Sequence, residues 1–416
     1  MESKDDVILK ANYCLNCPTK PCSTKGCPIG TKIPEFIQKI KENNNGEAYT
    51  ILADNNICSH ICSIVCPQEK QCEGSCVRGI KSTPTEIGKL ERYVNEWADE
   101  NKIVYDYEIK PSNGKSVAII GSGPAGISCA FELLKEGFKV DMYEKDEMLG
   151  GILYYGIPDF RLEKSYVEEV FGKLNKLGLN TYTKKELGKD IELEELEEKY
   201  DAIFIAFGAS KPMMYSLGEE SKDIFDPNTF IRHYSEKNYL TNLGKVAIIG
   251  GGNVAMDAAR VAAKMGAKEV KILYRRDRAH MPASQKELDD AIYEDGVIFK
   301  ELVRVDSGNF KDGKLESLNC VRTKIVDGKA VDDTETFIEE TDQVVFAIGL
   351  KPDIDFIKSF NIELDDWNYI KTNEDSETNI GNVFAGGDCV DNRATVCVAI
   401  LGGKKAAKGI IKKVLG

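Results

Sequence analysis

Nine of the thirteen cysteines fall within the first 76 residues: Cys14, Cys17, Cys22, Cys27, Cys58, Cys62, Cys66, Cys72 and Cys76. Cys17, Cys27 and Cys66 are each followed directly by proline. Thiolates at this density are soft metal ligands, and they stand upstream of two glycine-rich loops of the kind that cradle a dinucleotide pyrophosphate. A metal-bearing head on a nucleotide-binding body implies electrons moving between a pyridine nucleotide and something else.

The run Cys14-x2-Cys17-x4-Cys22-x4-Cys27-Pro is a loosened form of the ferredoxin spacing, in which three cysteines grip one 4Fe–4S cluster and the fourth serves its neighbour. Cys66-Pro-x4-Cys72-x3-Cys76 has the same economy. These two groups hold seven cysteines, one short of the eight ligands that two such clusters need. Cys58, Cys62 or an oxygen ligand could make up the difference. Zinc is the competing metal, but its sites favour two separated C-x2-C pairs, and only Cys14/Cys17 has that spacing. Disulfides are disfavoured in a reducing compartment.

The first glycine loop is Gly121-Ser122-Gly123-Pro124-Ala125-Gly126, between an apolar run and a helical stretch. In such a loop the first glycine makes the turn, the second lets backbone approach a pyrophosphate, and the third lets helix pack on strand. Glu144 ends the next strand, about where a ribose hydroxyl would be bound. The second loop is Gly250-Gly251-Gly252-Asn253-Val254-Ala255, and the strand after it ends in Arg275 and Arg276, with Arg278 nearby. Arginines there suit the 2′-phosphate of NADPH, where a carboxylate would select NADH.

The elements that must position these residues are legible. Short helices are expected at Pro34–Lys41 and Glu86–Glu100, and a polar linker at Lys110–Lys115. Two strand–loop–helix–strand units about 130 residues apart predict two nucleotide-binding folds in one chain. The segment from Asn382 onward reads as strand, loop and closing helix. In the cysteine-rich head, proline, glycine and cysteine at this density rarely build a large apolar core, so metal is expected to help hold it together.

The 416-residue chain has an ordinary globular composition and a net charge of −13, which opposes binding to nucleic acid. The opening residues MESKDDVILK have no apolar core, predicting no secretory signal. No stretch reads as a membrane span, and a cytoplasmic location is expected.

These motifs, together with IGKLERY, GGILYYGIPDFRL, YRRDRAHMPA, FAIGLKPD and FAGGDCVDNRATVCVAILGGKKAA, resemble the small (beta) subunit of NADPH-dependent glutamate synthase over nearly the whole length. The same module is similar to the amino-terminal half of dihydropyrimidine dehydrogenase and to the large subunit of NADH-dependent ferredoxin–NADP oxidoreductase. The resemblance implies an α/β protein: two Rossmann-like domains, an FAD domain with an inserted NADPH domain, preceded by a helical iron–sulfur domain. The expected boundaries are 1–110 for the cluster head, 111–238 and 351–416 for the FAD domain, and 239–350 for the NADPH domain. It further implies two interleaved 4Fe–4S clusters, one on Cys14, Cys17, Cys22 and Cys76, the other on Cys27, Cys66, Cys72 and Glu91. Cys58 and Cys62 then bind nothing. Gly151, Leu153 and Ile157 would line the flavin side, with Gly387, Asp388, Ala394, Thr395 and Val396 approaching its ribityl chain and ring. Gly250, Gly252, Asn253 and Val254 would hold NADPH, with NADH as the alternative.

The expected activity is hydride transfer from NADPH to FAD and single-electron transfer through two clusters to a partner, in a hetero-oligomer. No acid–base residue is needed, because hydride transfer depends on geometry. The expected partner is a large subunit of the glutamate synthase type. The alternatives are a stand-alone or differently partnered oxidoreductase serving a ferredoxin-type acceptor, including one that bifurcates electrons, and a scaffold subunit without turnover of its own. A flavin disulfide reductase would need a cysteine pair at the flavin, and Cys389 and Cys397 are too far apart in sequence for a C-x2-C pair.

Overall fold

The computed structural model describes residues 4–416. The chain divides into two compact units. One takes in the residues through Leu153, then 160–209 and 352–416; the other takes in 154–159 and 210–351.

The first unit opens with the cysteine-rich head. Its helices are α1 (Lys4–Asn12), α2 (Ile33–Lys41), α3 (Asn45–Asn55), α4 (Ser59–Val65) and α5 (Ile87–Glu100). Apolar side chains recur at helical spacing and meet inside: Val7 and Ala11, then Phe36, Ile37 and Ile40, then Tyr49 and Leu52, then Ile87, Leu90 and Val94. The head therefore has an apolar core of its own, made by helices that flank the cysteine loops. The expectation that metal must help hold it together applies to the loops alone.

After the linker comes a five-stranded parallel sheet in the order Val383–Ala385, Ala202–Ile205, Ser116–Ile120, Lys139–Tyr143, Asn180–Tyr182. Its central strands are buried apart from Ser116, as a parallel sheet covered on both faces requires. The helix Pro124–Lys135 follows the first strand, and the closing helix Val396–Leu415 packs beside it. The linker is pinned rather than free: Lys110 N donates to Lys135 O, and Asn113 N to Gly137 O.

The second unit carries its own parallel sheet, in the order Ile224–Phe225, Gln343–Phe346, Lys245–Ile249, Glu269–Tyr274, Ile298–Glu301. The helix Asn253–Lys264 follows its central strand. A three-stranded antiparallel sheet extends it: Val303–Lys311, Lys314–Val326 and Lys329–Glu340. Its two hairpins turn at Asp312-Gly313 and Asp327-Gly328, all four with positive φ, the backbone that a tight Asp-Gly hairpin turn demands. Among the described residues no helix is long and apolar enough to cross a membrane.

Within the first unit, the two packed helices meet backbone to backbone. A Cβ added at Gly403 would stand 2.2 Å from Ala125 O, and one at Gly402 would stand 2.5 Å from Gly387 N. Gly403→Ala is therefore expected to destabilise the protein by about 1–3 kcal/mol, the usual penalty for overpacking. Denaturant unfolding of the variant against the parent checks it.

Candidate redox site

The head gathers the first ligand set. Cys14, Cys17, Cys22 and Cys76 line one cavity with Pro21, Ile33, Ile37, Val77 and Ile87, enclosing about 350 Å³ including its open mouth. A wide one-turn helix, Cys22–Gly26, brings two cysteines to the two sides of one backbone loop, with Cys27 N donating to Cys22 O at 2.8 Å. Turns of this π type are frequent at functional sites. The turn lies hard against the segment holding Cys72: a Cβ on Gly26 would stand 2.8 Å from Cys72 Cα. Burial pushes the Cys22 thiol up to about 11, and the nearby Cys14 and Cys76 add to the effect. Four thiols around an apolar hollow suit a metal cluster, whose positive irons would stabilise the thiolates that burial opposes.

The second set converges on the far side of that turn. Cys72 is buried, and its thiol is pushed up by burial, then by Glu91, Glu73 and Cys27. Glu91 lies on α5 with its carboxyl turned inward, although the residue as a whole keeps some exposure. Burial, then the neighbouring Cys27, raises this carboxyl to about 8. Ser59 Oγ donates to Glu91 Oε1 at 3.1 Å and accepts from Asn95 Nδ2 at 3.0 Å. One carboxyl oxygen is thus oriented while the other stays available as a hard ligand. Cys66 joins the same place from the end of α4, where its Sγ lies within 4.8 Å of those of Cys62 and Cys397. Cys62, set aside by the sequence reading, and Cys397, assigned there to no ligand set, thus stand beside the second group. Cys58 is 1% exposed, its thiol raised to about 12 by burial, and it packs as a small apolar side chain.

The first glycine loop is built as its spacing predicts. Gly121 has φ +106°, and a Cβ there would stand 2.5 Å from Ala206 O. A Cβ on Gly126 would stand 2.1 Å from Gly121 O, so the helix sits directly on its strand. Gly123 caps the helix, Pro124 is its first residue, and a Cβ on Gly123 would meet only open space. Free helix amides facing open space are what a pyrophosphate occupies. Glu144 Oε2 accepts from Ser122 N at 3.0 Å and from Ser122 Oγ at 2.5 Å, while Oε1 accepts from Asp146 N. Gly150 N in turn donates to Ser122 Oγ at 2.9 Å, bringing Gly151 against Gly123. Leu153 is buried in the same unit, whereas Ile157 belongs to the other.

The closing segment completes this cradle. Gly387, at φ +79°, would place a Cβ 2.8 Å from that of Ala125. Asp388 Oδ1 is buried with no hydrogen-bond partner among the described residues, and burial, then Asp391, lifts its carboxyl to about 6. An orphaned buried acceptor beside a phosphate loop fits a polyhydroxylated chain such as the flavin's ribityl. Ala394 is held at φ +44°, an unfavourable backbone for a residue with a side chain, and Thr395 caps the closing helix by accepting from Val398 N at 3.3 Å. Arg393 is tied back to Asp391, so it leaves the segment before Val396 clear.

In the second unit, Gly250 has φ +145°, and a Cβ there would stand 2.1 Å from Ala347 O. Gly252 caps the helix that Asn253 and Val254 begin, and Asn253 Oδ1 accepts from Ser284 N. The three arginines sort themselves. Arg278 is engaged by Asp289 at 2.5 Å and Gln285 at 2.7 Å. Arg275 and Arg276 meet no carboxylate among the described residues, and Arg276 rests on Tyr274, donating to its hydroxyl at 3.0 Å. Two guanidiniums without a carboxylate partner at a strand end are of the kind that suits an anion.

Comparison with known proteins agrees with this geometry. Residues 115–403 match the pyridine nucleotide-disulphide oxidoreductase family, and residues 1–103 match the family described as dihydropyrimidine dehydrogenase domain II, 4Fe-4S cluster. The glutamate synthase [NADPH] small chain of Escherichia coli is 33% identical over 98% of this chain and 92% of its own. The beta subunit of NADP(+)-dependent formate dehydrogenase from Moorella thermoacetica is 34% identical over 94% of this chain and 59% of its own. In fold, the NADPH complex of Mycobacterium tuberculosis FprA is similar at TM-score 0.63 and 20% identity, over 73% of this chain and 84% of that one. The chain belongs to the pyridine nucleotide-disulphide oxidoreductases, in a family that includes the small chains of glutamate synthase, and is an FAD- and iron–sulfur-dependent NADPH oxidoreductase.

Proposed function

We propose that this chain passes electrons from NADPH through FAD and two 4Fe–4S clusters to a partner subunit of the glutamate synthase large-chain type. The observation that carries the reading is a direct tie between the cluster loops and the flavin-facing cap: Gln71 Nε2 donates to Thr395 Oγ1 at 3.3 Å. When bound, NADPH is a two-electron hydride donor, FAD converts pairs to single electrons, and the clusters carry them one at a time. The chain's own residues bind and orient. Arg275 and Arg276 hold the 2′-phosphate, and Gly250, Gly252, Asn253 and Val254 hold the pyrophosphate. Gly121, Gly123, Pro124, Ala125, Gly126 and Glu144 hold the adenosine half of FAD. Gly151 and Leu153 line the flavin side. Gly387 and Asp388 fix the ribityl chain, and the amides of Ala394, Thr395 and Val396 face the ring with the positive end of the closing helix behind them.

Cys14, Cys17, Cys22 and Cys76 hold one cluster; Cys27, Cys66, Cys72 and Glu91 hold the other. The relative from E. coli carries glutamate synthase in its name, which supports the partner proposed. The Moorella relative is named as a formate dehydrogenase subunit, which favours a second reading with a different partner. Affinity recovery from native extract chooses between them: a glutamate synthase large chain upholds the proposal, and a formate dehydrogenase in its place overturns it.

Replacing Arg275 and Arg276 together by alanine removes two charge-assisted contacts, each of order 1.5–3 kcal/mol. KM for NADPH is expected to rise at least about 100-fold while KM for NADH stays within about twofold. Equal losses with both nucleotides would show that the arginines serve the fold instead. For the clusters, Cys76→Ala and Cys72→Ala are each expected to lose about half of the bound iron, and to extinguish different paramagnetic signals. Loss of the same signal from both variants would refute the interleaved assignment.

A further inference from the structure

Cys397 lies in the first turn of the closing helix, two residues past the cap that faces the flavin, and is 3% exposed. Its Sγ lies within 4.8 Å of Cys62 Sγ and Cys66 Sγ, and it is a neighbour of Cys27, whose thiol it helps push up. Two contacts fix the helix against the head and so hold this meeting in place. Gln71 donates to Thr395 at one end, and Lys404 Nζ donates to Asn55 O at 2.7 Å further along.

The second ligand set above already contains two of the sulfurs in this knot, Cys27 and Cys66. Each iron of a 4Fe–4S cluster takes one protein ligand, and ligands on separate irons are held apart by the cube between them. Cys62, Cys66 and Cys397 are too closely grouped to serve three irons. Cys62 Sγ is already engaged by Asn56 Nδ2 at 3.3 Å. With Cys66 as the ligand, Cys62 and Cys397 remain as S–H groups against it. An S–H is a weak donor, and a cluster thiolate is a charged acceptor.

We infer that Cys397 is a positioning residue of the flavin-domain helix that donates its S–H hydrogen bond to the ligand thiolate of Cys66 at the second cluster, raising that cluster's potential and joining it to the flavin-facing cap. This rests on the ligand set proposed above. The direction follows from charge: reduction adds an electron to the cluster, a donor to its sulfurs favours the more negative state, and the potential rises. Removing the donor lowers it. The residue is separated from the cysteine-rich head by more than 300 positions, so neither motif nor spacing marks it.

Anaerobically purified holoprotein tests this by iron and sulfide content and by a redox titration followed through the paramagnetic signals of both clusters. Cys397→Ala is expected to keep full iron, to shift one cluster's midpoint to more negative values and to leave the other unmoved. Cys397→Ser, which restores a donor, is expected to recover most of the shift. Unchanged midpoints in Cys397→Ala would overturn the inference. So would loss of one cluster's iron from both variants, which would make Cys397 a ligand. Cys27→Ala and Cys72→Ala, run alongside, separate the two levels. If both keep two clusters, the ligand set itself fails and takes this inference with it. If they lose the second cluster while Cys397→Ala changes nothing, only the role of Cys397 fails.

Discussion

The first unit depends on one contact: the closing helix and the first nucleotide helix approach so closely that only glycine fits between them. Gly403 rides on the carbonyl of Ala125, and Gly402 on the amide of Gly387. A side chain at Gly403 would push the helices apart, and one at Gly402 would push the Gly387 loop away, and three functions would separate with them. The glycine loop Gly121–Gly126, the buried carboxyl of Asp388 and the cap at Thr395 share this interface. The same helix then reaches the head through Lys404 and Cys397. Dispersion and excluded volume set the spacing here, and the polar groups that handle cofactors are arranged around it.

The head shows a second constraint, that of thiols in an apolar shell. Cys22, Cys27, Cys66 and Cys72 are all pushed upward, and desolvation contributes to each. Left without metal, such groups stay protonated and inert; bound to iron, they become thiolates whose charge the cluster neutralises. The apolar core of α1, α2, α3 and α5 matters because it presents these loops already folded. Binding energy then goes into cluster selectivity more than into ordering the chain.

Much of this was legible in the residues. Both parallel-sheet nucleotide folds are announced by a strand, a glycine turn and a helix, because phosphate binding needs that order of elements. The head's helices at Ile33–Lys41 and Ile87–Glu100 follow their apolar spacing to within a residue. Other features could not be read. Arg275, Arg276 and Arg278 look alike in sequence, and only packing engages the third with Asp289. Glu91 was reached through resemblance, since a carboxylate on a helix gives no local sign of pointing inward. Cys397 meets Cys66 through tertiary contact alone. The antiparallel extension was marked by its two Asp-Gly turns, a local signal as strong as the glycine loops, and it went unread because it carries no chemistry.

The closing helix also sets an order of events. The strand Val383–Ala385 and the helix Val396–Leu415 complete a sheet begun at Ser116, with the whole nucleotide unit intervening. A pairing that spans so much chain is slow to form, because the loop must close before any contact rewards it. The intervening unit draws nearly all its strands from residues 210–351, so it matures on local contacts first. Until the late helix docks, the flavin cradle lacks a wall and the second cluster site lacks its neighbour. Cofactor retention is therefore a property of the finished chain.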